Sequence, residues 1–176
     1  MASDVKILIA GGSCTIEHVD SFMDAVHHFA EKNQMIIQLF DAEKIYGKPH
    51  LLSAVHHALR SEKEKRMTTN SIEMELLLYA SGERQLKLAI PKMGVKNGCN
   101  DVAVVFLIRS DVLADEMVLV HTFFSSLDID RDDDVLEGNE NTLRLFGISD
   151  GEKQTVSKQY YASLILERIA LIDIIK

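Results

Sequence analysis

Two adjacent histidine pairs, His27-His28 and His56-His57, are the first residues in this chain that suggest metal chemistry. Each pair falls inside a segment with helical spacing. Neighbours on a helix point about 100° apart, so such a pair cannot close on one ion. The useful spacing is four residues, and no histidine inside a predicted helix has a histidine or cysteine partner there. The stretch DIDRDDDVLEGNE (128–140) places its first three alternate aspartates as a calcium loop would. Position six is Asp133 where glycine must make the turn, however, and position twelve is Asn139 rather than a bidentate glutamate. It reads as an acidic, solvated loop with a short strand over 134–137. Cys14 follows Gly11-Gly12-Ser13 without any recognisable base, which suits packing better than nucleophilic attack. Phosphate-binding, dinucleotide and nucleophile-elbow motifs are all absent from the sequence. No catalytic residue, metal or cofactor is expected, and the chain does not read as an enzyme.

Charge gives a more useful lead. The net charge is −8, against a general nucleic-acid coat. Yet residues 60–96 hold eight lysines and arginines against five glutamates. Screening confines each charge to roughly 10 Å, so a basic neighbourhood can act on its own in an acidic protein. Lys63, Lys65 and Arg66 come just before Asn70 and Ser71, where a helix begins, and Arg84 and Gln85 head the next one. Helix N-termini attract anions, and basic side chains reinforce them. Either these groups hold a phosphate-bearing ligand, or Arg84 and Gln85 simply cap and solvate.

The elements that must position these groups follow from periodicity. Residues 5–12 read as a strand ending in a glycine turn, 19–31 as an amphipathic helix and 35–42 as a second strand. Pro49 opens a helix with an apolar stripe at Leu51, Leu52, Val55 and Leu59. Asn70 and Glu73 have capping-box spacing, Gly82 is a stop, and a further helix over 83–93 is interrupted by Pro91. The unbroken apolar run 102–108 suits a central strand buried on both faces. Helices are expected near 111–124, 141–146 and 157–175. The last one carries apolar residues around more than half its circumference, more than one buried face requires. The fold class expected is α+β: a single helix-rich domain over 1–176, with a small mixed β-sheet packed against a central helix that starts at Asn70 and stops at Gly82. No apolar run is long enough for a membrane, and the start lacks a secretory pattern. Two cysteines make no disulfide framework, so a cytoplasmic location is expected.

The run NSIEMELLLYASGERQLKLAIPKMGVKNG, then VAVVFL, DDDVLEGNE and finally LERIALIDI occur in that order. Together they resemble the small non-catalytic subunit of the KEOPS complex, the PRPK-binding (TPRKB-like) family. The resemblance implies a regulatory subunit that docks on the complex's small kinase/ATPase. It also implies help in recruiting tRNA by its 3′ CCA end for threonylcarbamoyladenosine modification. On that reading Leu164, Ile165, Ile169, Leu171 and Ile172 form the kinase-docking surface. Lys63, Lys65, Arg66, Asn70, Ser71, Arg84 and Gln85 meet the RNA. The alternative is a pure protein–protein interaction subunit that stabilises or activates the kinase without touching RNA.

Overall fold

The computed structural model of the chain describes residues 5–109 and 115–175. Four strands and eight α-helices are formed among them: β1 (Val5–Ile16), α1 (Val19–Lys32), β2 (Met35–Asp41), α2 (Gly47–Lys63), α3 (Ile72–Ser81), α4 (Leu86–Met93), β3 (Gly98–Arg109), α5 (Glu116–Ser126), β4 (Asp130–Arg131), α6 (Glu140–Leu145), α7 (Asp150–Gln154) and α8 (Tyr161–Ile175). The class is α+β, as the sequence suggests. The elements fall into two compact units, one holding the strands with α1 and α5, the other holding the remaining helices.

In the first unit the strand order is β2-β3-β1-β4. The sheet is antiparallel throughout rather than mixed. β1 and β2 do run the same way, but β3 lies between them and runs opposite to both, so no parallel ladder forms. Every residue from Val102 to Ile108 is buried, in keeping with a central strand. Ile37, Leu39, Val104, Phe106 and Ile108 share an apolar cluster with Val26 and Ala30 of α1 and Phe123 and Phe124 of α5. Phe123 meets Phe106 and Phe29 edge to face, with ring centroids 5.2 and 5.3 Å apart.

β1 runs straight through Gly11 and Gly12 instead of turning there. A Cβ on Gly12 would lie 2.6 Å from the Asp130 carbonyl oxygen and 2.8 Å from the Ile129 side chain. The glycine therefore admits β4 alongside rather than bending the chain. The strand expected at 134–137 is a 3-10 turn at Asp133–Leu136, and the pairing falls at Asp130–Arg131. The helix expected from residue 111 is seen from Glu116; 110–114 lie outside the described residues.

In the second unit α3 is the centre. From Glu75 to Ser81 it is buried on every side, packed against α2, α4 and α8. Within the first unit, α1 and α5 cover one face of the sheet and share its apolar cluster. α3 closes at Gly82 in the left-handed conformation (φ 67), and the Glu83 N–H returns to the Leu78 carbonyl at 3.2 Å. That bond is the six-to-one closure of a Schellman ending.

Candidate functional site

α2 ends on a basic loop. Lys65 adopts a left-handed backbone (φ 55), and the Arg66 N–H donates to the Ser61 carbonyl at 2.8 Å. Lys63, Lys65 and Arg66 are exposed, and Arg66 Nε is drawn onto Glu64 at 2.7 Å. The cap of α3 is Ser71, one residue later than expected: its hydroxyl accepts the Met74 N–H at 3.3 Å, leaving Asn70 exposed. The loop between them is held from below by Glu75, which is fully buried. Oε1 accepts from the Ser61 hydroxyl at 3.0 Å. Oε2 accepts the Thr69 hydroxyl at 3.0 Å and the Thr68 and Thr69 N–H groups at 3.2 and 3.3 Å.

The structure thus gathers Lys63, Lys65, Arg66, Asn70 and Ser71 at one end of α3. Arg84 and Gln85 stand beyond the other end of this ten-residue helix, about 15 Å away at 1.5 Å per residue. The single cluster expected from sequence is therefore two patches. Gln85 occupies the N-cap position of α4 without a side-chain capping bond. Arg84, Gln85 and Lys87 are exposed there. Lys92 of the same helix turns inward instead, donating to the Ser81 carbonyl at 2.6 Å and to Glu83 at 3.0 Å, with its ammonium 4.6 Å from the Phe146 ring centre.

The last helix corrects another expectation. Leu164, Ile165, Ile169 and Ile172 are buried within the chain and cannot be a free docking face. Of the five residues named, only Leu171 faces outward, 47% exposed. Its outward apolar neighbours are Ile174 at 77% and Ile175 at 49%, with Tyr160 exposed just ahead of α8. A helix apolar around more than half its circumference does not mark in sequence which of its aliphatic residues face inward. The helix is anchored by Asp173. Its carboxylate takes the Tyr79 hydroxyl at 2.6 Å, lies 2.6 Å from His57 Nδ1 and is paired with Arg60. Burial together with that bond pushes the Tyr79 phenol up to about 12. Desolvation opposes ionisation of Asp173, yet the bonds from Tyr79, His57 and Arg60 outweigh it and hold it below its ordinary value.

The model of the kinase binding protein CGI-121 family matches residues 16–173. The chain belongs to that family. A relative from Methanocaldococcus jannaschii, the regulatory protein Cgi121, is 28% identical over 142 residues, covering 79% of this chain and 84% of the relative. The family match takes in both patches around α3 and nearly all of α8.

Other groups in this CGI-121 family chain are structural. His50, overlooked beside the adjacent pairs, is wholly buried. Its Nδ1 accepts the Tyr46 N–H at 3.0 Å and its Nε2 donates to the Ala80 carbonyl at 2.8 Å. Burial pulls it down to about 4. Glu75 was overlooked too; the signal available was a carboxylate inside the apolar run IEMELLLYAS. Among the described residues no group of three His, Cys, Asp or Glu side chains is placed to hold a metal. No helix among them is long and apolar enough to cross a membrane. Cys14 and Cys99 lie on paired strands one register position apart, with Cys14 opposite Asn100 and Cys99 opposite Thr15. Successive side chains alternate faces, so the two thiols point to opposite sides of the sheet. Burial, with Asp101 and Asp128 adding to it, pushes the Cys14 thiol up to about 11, whereas Cys99 is exposed.

Proposed function

We propose that this chain is the non-catalytic, kinase-docking subunit of a KEOPS complex. It binds the complex's small kinase/ATPase through the outward side of α8 and helps recruit tRNA by its 3′ CCA end for threonylcarbamoyladenosine modification. The observation that carries the docking role is the apolar strip Leu171, Ile174 and Ile175 on the last helix of a family described as kinase-binding. An exposed strip of this kind costs solubility unless a partner covers it. Tyr160 adds an amphipathic aromatic at its margin, a type enriched where proteins meet. The kinase contact is tested with Ile174→Arg. The side chain is mostly exposed, so the fold survives, while co-purification with the kinase subunit is lost. Ile172→Arg is not suitable, because Ile172 is 3% exposed and a buried arginine would disrupt the chain itself.

For RNA, the exposed Lys63, Lys65 and Arg66 beside Asn70 and Ser71 offer phosphate contacts. Arg84 and Gln85 offer a planar guanidinium and amide suited to unstacked terminal bases. The two patches flank α3, so a single-stranded end of a few nucleotides reaches from one to the other. Binding to intact tRNA and to the same tRNA without its CCA end tests this. Loss on trimming supports the end-reading role, and equal binding ends it. The pairing of Arg66 with Glu64, which takes one cation out of the first patch, favours the second reading, an interaction subunit that never touches RNA. That reading expects Lys63→Glu with Lys65→Glu to leave complex activity unchanged.

A further inference from the structure

Resting on the RNA reading above, we propose that Glu75 is a positioning residue for it: this buried carboxylate sets the backbone of the basic loop that meets the RNA. Glu75 is the one carboxylate found fully buried among the described residues, and both its oxygens are spent on the segment joining α2 to α3. Oε1 takes the hydroxyl of Ser61, whose own carbonyl accepts the Arg66 N–H and so closes the loop's first turn. Oε2 takes three donors from Thr68 and Thr69. One side chain thereby fixes both the departure of the loop, at Lys65 and Arg66, and its return, at Asn70 and Ser71.

Burying an acid at this point is costly unless donors meet it, and Ser61, Thr68 and Thr69 supply them, the Thr69 hydroxyl being shared with the Ser71 carbonyl. An interior leucine would have filled the same space with less penalty. Its carboxylate is also the wrong sign to attract RNA, so its contribution is geometric. Preorganised donors lose less freedom on binding than a mobile loop would. The Glu75 side chain itself touches no RNA in this account.

The test measures tRNA affinity against salt for the full chain and four variants. Glu75→Ala removes these acceptor contacts, whereas Glu75→Gln keeps an oxygen for the threonine donors and an amide that donates to the Ser61 hydroxyl oxygen. Thr69→Val removes one hydroxyl on a half-buried residue and serves if Glu75→Ala does not fold. Lys63→Glu with Lys65→Glu tests the RNA reading separately. Expected are an affinity loss of about tenfold for Glu75→Ala and about threefold for Thr69→Val, with a salt slope shallower by about one. Glu75→Gln should stay within about twofold of the parent, and kinase binding should be unchanged in every variant. A folded Glu75→Ala, or in its absence Thr69→Val, that binds with the parent's affinity and slope overturns the positioning role. So does a Gln variant as weak as the Ala variant, since charge rather than geometry would then matter. If the lysine reversals leave binding unchanged, RNA is not held at this loop; that result ends the RNA reading, and the role of Glu75 with it, and is distinct from the other failures.

Discussion

In the strand-bearing unit the interior is aromatic and aliphatic, with Phe29, Phe106 and Phe123 meeting edge to face and Gln38 the one buried polar side chain among the described residues. In the helical unit His50, Ser61, Glu75, Ser81 and Thr142 are buried as well. Each has a hydrogen-bond partner, and the partners are largely backbone groups of loops and helix ends. His50 holds Tyr46 and Ala80, Ser81 holds Leu78 and Glu83, and Thr142 holds Glu43. Apolar burial depends on area and volume and is indifferent to pH. Polar burial depends on direction, and it can be switched by a proton. Both patches named for RNA lie on the polar-knit unit, where loops are held by specific bonds rather than by packing alone.

Four substitutions, in three comparisons, can break or sharpen this contrast. The largest effect is expected from Phe123→Ala, which empties the centre of the aromatic cluster and should cost about 3–5 kcal/mol in denaturant unfolding. The loss should be the same at pH 5 and at pH 7.5. A loss that varied between them would show that the strand-bearing unit is not governed by apolar packing alone.

The second concerns His50. Its folded value, about 4, lies below the 6.5 of a free histidine. As pH falls through that window the unfolded chain takes up a proton that the folded chain refuses, so stability drops on acidification. The contribution, present above 6.5 and lost by about pH 4, amounts to about 3 kcal/mol. His50→Gln should flatten that part of the stability profile. A profile as steep as the parent's would move the pH sensitivity elsewhere.

The smallest effect separates neighbours. Ser71→Ala should cost about 1 kcal/mol through the lost cap, and Asn70→Ala close to nothing. Equal costs in thermal unfolding would return the cap to Asn70.

Local signals in the sequence predicted local structure well. The strand at 35–42, the helix at 19–31 and the stop at Gly82 each rest on residues that act on their immediate neighbours, and each is found within a residue or so. What went unread depends on contacts between distant segments. Gly12 looks like a turn until Asp130 is seen against it. Asn70 and Ser71 are both competent caps, and only the loop geometry chooses between them. Both faces of α8 carry large aliphatic residues, Leu164, Ile165, Ile169 and Ile172 inward and Leu171, Ile174 and Ile175 outward, so the sequence groups Leu171 with four residues that are buried. Lys63 and Arg84 are close in charge and close in sequence, yet a whole helix stands between their positions.

The placement of the two thiols gives the chain a ready-made reporter. Cys99 is exposed, while Cys14 is half-buried and kept protonated well above neutral pH. Thiol reagents attack the thiolate, so near neutral pH a maleimide dye attaches at Cys99 and spares Cys14. Because the two sulfurs face opposite sides of the sheet, oxidation does not link them within the chain and consume the site. A single fluorophore can therefore be carried on the unmutated sequence, outside both α3 and α8, to follow kinase docking and to test the proposed RNA binding in one sample.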